Sequence, residues 1–420
     1  MKWIFTLFAT EEIPSAMTTF VALLMFLQMG VSPAVATLLA ALLFLPWVSK
    51  SWMRSYVFRA GHYRRTLLLL EFFLALSLAA LAFALQHSLE WTFATLMLVS
   101  LLSAGHELTS HLYYERMLRP RLQRFYNGPK MLASQMAVIM TYGMMIMAVG
   151  VLQIYFRQHS PMLSWSMGCY AAAGIMLLFM LWHTLTLRAT HVKSSFRSNT
   201  VSGSFKAEMQ VIARIEAQPL WWKHVLTVVL ILVPQSLMFF TRAIFLLTHS
   251  DGGGLGCTLQ EIGFAQGTIG VIAFWIGISG GRWLLRNARV PESKLFRPLT
   301  LVLGLSPLVY FIMTVEKPHS LMGLCIATFQ AQLLFGLGLN ACHGAVKSIS
   351  GERHRNTINL LYIPLVSASM LVPMAASGWL CSTLGFRVFF LFDSLTAPIS
   401  WLIVWILWHT KTPETQVCPQ

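Results

Sequence analysis

Charge is scarce in this 420-residue chain. Asp, Glu, Lys and Arg together make up 11% of it, and the only aspartates are Asp251 and Asp393. With 56% hydrophobic residues and a mean hydropathy of +0.65, the chain has too little polar surface to clothe a water-soluble globule, so its solvent is a bilayer. The six cysteines show no C-x-x-C spacing and mostly fall inside apolar runs. That excludes a disulfide framework or zinc site and leaves them as small packing residues. H-E-x-x-H is missing, the G-x-S-x-G match at Gly277 to Gly281 falls inside an apolar run rather than at a strand-to-helix turn, and no Walker lysine follows the glycines between Gly263 and Gly281. No catalytic residue, metal or cofactor is therefore expected, and an enzyme is disfavoured. Glu11 and Glu12 come before any small-residue cleavage site, so a cleaved signal peptide is not expected either.

What is present is a succession of long apolar runs. At about 20 residues per span, the first half reads as helices over Ile4 to Gln28, Ala34 to Val48, Thr66 to Leu85, Trp91 to Leu112, Met131 to Phe156 and Leu163 to Leu187. The second half reads as Val225 to Thr248, Ile262 to Gly281, Pro298 to Val315, Leu321 to His343, Ile358 to Cys381 and Val388 to His409. The expectation is an all-α membrane protein of twelve transmembrane helices in two six-helix bundles. Residues 1–187 and 224–420 form the bundles, and the polar stretch 188–223 is a linker. Within the linker, Phe205 to Ala217 is compatible with a short amphipathic surface helix or with a disordered segment.

All Lys and Arg residues except Arg157, Arg242, Lys317 and Arg387 fall in every second gap or at the termini. The positive-inside rule then puts both ends of the chain in the cytoplasm. It also accounts for the formal charge of +15 without nucleic acid, which is not expected as a partner.

Ionisable side chains inside apolar runs cost at least about 2.5 to 3.5 kcal/mol each, so they mark function by default. Helix 1 carries Glu11 and Glu12 just before Pro14, which removes a backbone hydrogen bond. The alternative is a helix starting at Ile13 with both carboxylates at the headgroups. Helix 4 places Glu107, His111 and Glu115 four residues apart on one stripe, able to relay a proton or to tie helix ends together. Glu71 in helix 3 reads as a structural partner of Arg64 or Arg65. Arg242 in helix 7 needs an acid or an anionic solute. Gln235 nearby and Gln332 in helix 10 can touch solute or glue helices. Tyr113 completes the candidate solute-binding set. The glycines of helix 8 argue for close packing.

Two places resemble a particular group. E-E-I-P-S-A from Glu11, G-V-S from Gly30 and L-P-W-V-S-K-S-W from Leu45 are similar to the first two helices of AmpG-like permeases, a peptide and acetyl-coenzyme-A transporter group of the major facilitator superfamily. S-A-G-H-E-L-T-S-H-L-Y-Y from Ser103 is similar to that group's helix 4, with its two aspartates falling on Glu107 and His111. The resemblance implies a proton-linked importer of muropeptides, peptides or siderophores in a bacterial inner membrane. Glu11, Glu12, Glu107 and His111 are the expected proton-coupling residues. The expected partners are a small-molecule solute, protons and the bilayer, and the chain is expected to act as a monomer.

Overall fold

The computed structural model describes residues 2–50, 53, 62–188, 221–287, 292–318, 320–350 and 355–409. Most of the expected linker, including the candidate amphipathic helix at Phe205 to Ala217, lies outside the described residues. Everything regular within them is helical. In the first half these helices are α1 (Lys2–Gln28), α2 (Pro33–Val48), α3 (Tyr63–Ala84), α4 (Leu89–Met117), α5 (Pro120–Tyr155) and α6 (Pro161–Thr186). In the second they are α7 (Trp221–Leu247), α8 (Leu259–Leu285), α9 (Glu292–Glu316), α10 (Leu321–Ser350), α11 (Arg355–Leu384) and α12 (Phe386–His409). Among the described residues, ten of these are long and apolar enough to cross a membrane. The two others differ for physical reasons. α2 is short and broken after Leu42, whereas α4 is 29 residues long but diluted by His106, Glu107 and His111.

The helices are turned inside out relative to those of a water-soluble protein. In α3, Leu69, Phe72, Phe73, Leu76 and Phe83 form an exposed stripe at helical spacing. The only carboxylate of that helix, Glu71, is fully buried on the opposite face. Such a helix is stable only if the outer stripe meets lipid and the inner polar group finds partners on its neighbours.

Within the first half α3 packs on α4 and α6, and α1 on α4 and α5. Within the second, α9 packs on α10 and α12, α8 on α10, and α7 on α11. The halves meet mainly along two seams, α2 against α11 and α5 against α8, with a smaller contact of α7 on α1 and α2. In the first seam the Thr37 hydroxyl accepts from the Gly378 amide (3.2 Å) and donates to the Ala375 carbonyl (3.3 Å). In the second, Gly143 lies against Gly267 with backbone touching backbone. A Cβ on Gly143 would stand 2.7 Å from the Thr268 hydroxyl, and one on Gly267 would collide with the Tyr142 carbonyl. Both glycines sit in π-helical turns, Ile139–Met145 and Gly263–Gly270. A third π turn, Met17–Val21, follows Pro14 in α1. Pro14 therefore does not interrupt α1; the ladder widens just beyond it.

Candidate functional site

Glu11 is buried on α1 and faces α4. Its Oε1 lies 3.3 Å from His111 Nε2, so two side chains a hundred residues apart in sequence meet inside the bundle. The Lys130 ammonium, on α5, lies 3.4 Å from the same imidazole nitrogen and 3.5 Å from Nδ1 of that ring. It also sits 4.2 Å from the centre of the Phe8 ring, in a cation–π contact. One turn earlier on α4, Glu107 is ion-paired with Lys50 at the end of α2 and accepts a 2.9 Å hydrogen bond from the Trp47 indole. Glu12, on the neighbouring face of α1, has Ser134 of α5 as its side-chain partner. The cluster thus joins α1, α2, α4 and α5, with three carboxylates, two ammoniums and one imidazole.

This arrangement offers a proton a choice. His111 Nε2 faces a carboxylate and an ammonium at nearly equal distance, and the ammonium is nearly as close to Nδ1. Protonated, Nε2 donates to Glu11; unprotonated, it accepts from Lys130. Glu11 Oε2 is buried with no hydrogen-bond partner among the described residues, leaving an acceptor in reserve. Donor atoms of Glu11, Glu107 and His111 lie within 4.8 Å of one another. A metal cation entering there would meet the charges of Lys50 and Lys130, which already play the counter-cation's part, so the donor set suits a proton better than a metal.

Of the expected stripe on α4, Glu107 and His111 join the cluster while Glu115 is exposed. Lys50, Lys130 and Trp47 are not among the expected site residues, although Trp47 and Lys50 lie in the L-P-W-V-S-K-S-W run. The apolar runs put the end of helix 2 at Val48 and the start of helix 5 at Met131, which leaves both lysines among the loop charges. In the structure α5 starts at Pro120 and carries Lys130 ten residues inside.

Arg242 is buried on α7, but not beside Glu11. Its guanidinium carbon lies 5.2 Å from the centre of the Phe239 ring, and Phe239 stacks on Phe20 of α1 with centroids 5.6 Å apart. Phe20 is nine residues beyond Glu11, about 13 Å along the helix. Arg242 therefore occupies a different depth, with Phe20, Phe44, Tyr142 and Phe239 forming an aromatic seam at that level. It lies within electrostatic reach of Tyr142 and Tyr310. The Tyr310 hydroxyl accepts from Gln266 (2.7 Å) and pairs with Gln332. Arg242 Nε and Gln266 Oε1 are both buried without hydrogen-bond partners among the described residues. Gln332 thus belongs to the Arg242 neighbourhood. Gln235 instead donates to the Leu303 carbonyl (2.7 Å) and ties α7 to α9. Tyr113 exchanges hydrogen bonds with Arg188 (3.1 and 3.0 Å) and caps the end of α6.

Glu71 departs from the expected pairing with Arg64 or Arg65. Its Oε1 meets His183 Nδ1 at 2.6 Å and His106 Nε2 at 3.3 Å, while Arg64 donates to the Thr184 carbonyl (2.7 Å). Asp393, absent from the sequence-based candidates, is fully buried on α12 with both carboxylate oxygens unpartnered among the described residues. A lone Asp in an apolar run is the signal that points to it.

The same architecture is found in solved membrane transporters. A bacterial homologue of the human lysosomal transporter Spinster, in an inward-facing and unoccupied conformation, superposes with a TM-score of 0.73 at 14% identity over 97% of this chain and 95% of that one. The nucleoside transporter NupG gives 0.69 at 12% identity over 97% and 98%. A POT family transporter in complex with 5-aminolevulinic acid gives 0.69 at 11% over 96% and 95%. No protein-family model matches the chain, and no curated protein does. The likeness shows a fold shared with these transporters.

Proposed function

We propose that the chain is a secondary transporter that moves a small polar or anionic solute, of the muropeptide, peptide or siderophore class, inward with protons. In this reading residues 1–187 and 224–420 are two six-helix halves that rock about the α2/α11 and α5/α8 seams. The 188–223 segment links them on the cytoplasmic side of a bacterial inner membrane, and the protein works as a monomer. The observation that carries the proposal is the Glu11–His111–Lys130 contact, where one proton decides which partner the imidazole serves. Glu107, held by Lys50 and Trp47, sets the charge beside it, and Glu12 adds a further carboxylate. Arg242, with Gln332 close by, is the proposed anchor for an anionic group of the solute, about 13 Å deeper along α1. Similar folds have been solved with peptide-conjugate and aminolevulinic acid ligands, which supports solutes of that size.

A thermal-shift panel of muropeptides, peptides, siderophores and sugars on the purified protein identifies the solute class, because a ligand selective for the folded state raises its apparent stability. With a hit in hand, uptake into proteoliposomes is expected to require an inward proton gradient. Glu11→Gln and His111→Ala are expected to abolish the gradient's effect while downhill exchange survives. Gradient-driven uptake that is unchanged in both variants would overturn the coupling assignment.

A further inference from the structure

The Glu71 cluster lies outside the Glu11 site, and its chemistry is of a different kind. Glu71, His106 and His183 are all fully buried, contributed by α3, α4 and α6. Glu71 Oε1 receives both rings, at 2.6 Å from His183 and 3.3 Å from His106. Beyond the rings, His106 Nδ1 meets the Ser110 hydroxyl (3.5 Å) and His183 Nε2 meets the Thr6 hydroxyl of α1 (2.9 Å). Arg64 of α3 donates to the Thr184 carbonyl, and no Lys or Arg among the described residues forms an ion pair with Glu71.

With two neutral imidazoles, this pocket would hold an uncompensated carboxylate deep in the bundle, an arrangement that is strongly destabilising. One additional proton makes the cluster neutral, and three side chains can host it. Thr6 makes this possible without moving heavy atoms. Its hydroxyl can donate to His183 Nε2, or it can donate to the Trp3 carbonyl at 3.2 Å and accept from a protonated Nε2. A single hydroxyl rotation therefore accompanies either charge state of the ring.

We infer that Glu71, His106 and His183 form a second proton-binding site, separate from the Glu11–His111 cluster. The two sites communicate. His106 precedes Glu107 on α4 and lies within electrostatic reach of Glu11, while Thr6 and Glu11 share α1. The first half of the molecule thus holds two carboxylate–imidazole clusters on adjoining turns of α1 and α4. For its role in transport this inference rests on the proton-coupled reading above; for the existence of the site it does not.

The probe is the proton itself. In full-length protein labelled with 15N-histidine and placed in phospholipid nanodiscs at neutral pH, the wild type is expected to show one of two signatures. Either a solvent-shielded imidazole carries protons on both ring nitrogens, or a buried protonated carboxyl appears in the infrared spectrum. Glu71→Gln is expected to remove that signature, and His183→Gln to remove or displace it. A wild-type protein showing neither overturns the inference, and this measurement does not depend on any variant folding. Glu11→Gln separates the two readings. Unchanged gradient-driven uptake in that variant, with the buried proton still present, defeats the Glu11 assignment and leaves this site standing.

Discussion

Lys50 is the residue on which Glu107 depends. Its aliphatic stem emerges from the end of α2 and its ammonium meets a carboxylate that is largely withdrawn from water. Lys50→Ala strands that carboxylate, at a cost of about 3 kcal/mol, because removing one member of a buried pair leaves the other charge uncompensated. The expected outcome is a fall in thermal unfolding temperature that Glu107→Gln in the same chain largely restores, since the amide keeps the Trp47 hydrogen bond without the charge. Failure of the second change to restore stability would mean that Lys50 acts through packing alone. At this scale the sequence is partly legible. Glu11, Glu107 and His111 stand out because each is an expensive residue inside an apolar run, and the helical spacing of α4 puts the last two on one face. Their partners are hidden, because the meeting of Glu71 with His183, or of Glu11 with His111, is set by packing across the bundle. Nothing local in the sequence announces that distance of a hundred residues or more.

At the scale of the element, apolar runs locate the helices well and their ends poorly. α5 begins eleven residues before the expected Met131, because Pro120 to Lys130 is polar but still helical, opening with Pro120 at the first turn. Hydropathy measures where a helix leaves the lipid, not where its hydrogen bonds stop. The glycine content of helix 8 is a better guide, since it predicts close packing and Gly267 meets the backbone of α5 directly. Gly267→Ala places a methyl group against the Tyr142 carbonyl, which is not a flexible side chain and cannot swing aside. Overpacking of this kind costs about 1 to 3 kcal/mol. The expected result is a lower unfolding temperature together with a weakened α5/α8 contact, read by cross-linking between the two helices. An unchanged unfolding temperature would show that the crossing is looser in the bilayer than in this structure.

For the whole molecule, the two seams define what moves. If the halves rock as proposed, the Thr37–Ala375 contact between α2 and α11 closes one face and must open in the other state. In a background lacking native cysteines, Thr37→Cys with Ala375→Cys is expected to react with a short thiol cross-linker in the resting protein. Gradient-driven uptake is expected to stop when the link forms and to return when a reducible linker is cut. Efficient uptake by the linked protein would exclude rocking about this seam. The succession of helices is readable from the apolar runs, whereas the seams are not, because α2 and α11 are separated by more than three hundred residues.

The π turns in α1, α5 and α8 carry a mechanical consequence. Each holds one spare residue relative to a regular helix, and expelling it would screw everything beyond by about 100°. In α1 the turn lies between Glu11 and the far end of the rod, so about a quarter-turn of winding could swing one end's side chains while the other stays clamped. Such a rod can re-aim what it carries without breaking a hydrogen-bonded ladder into coil.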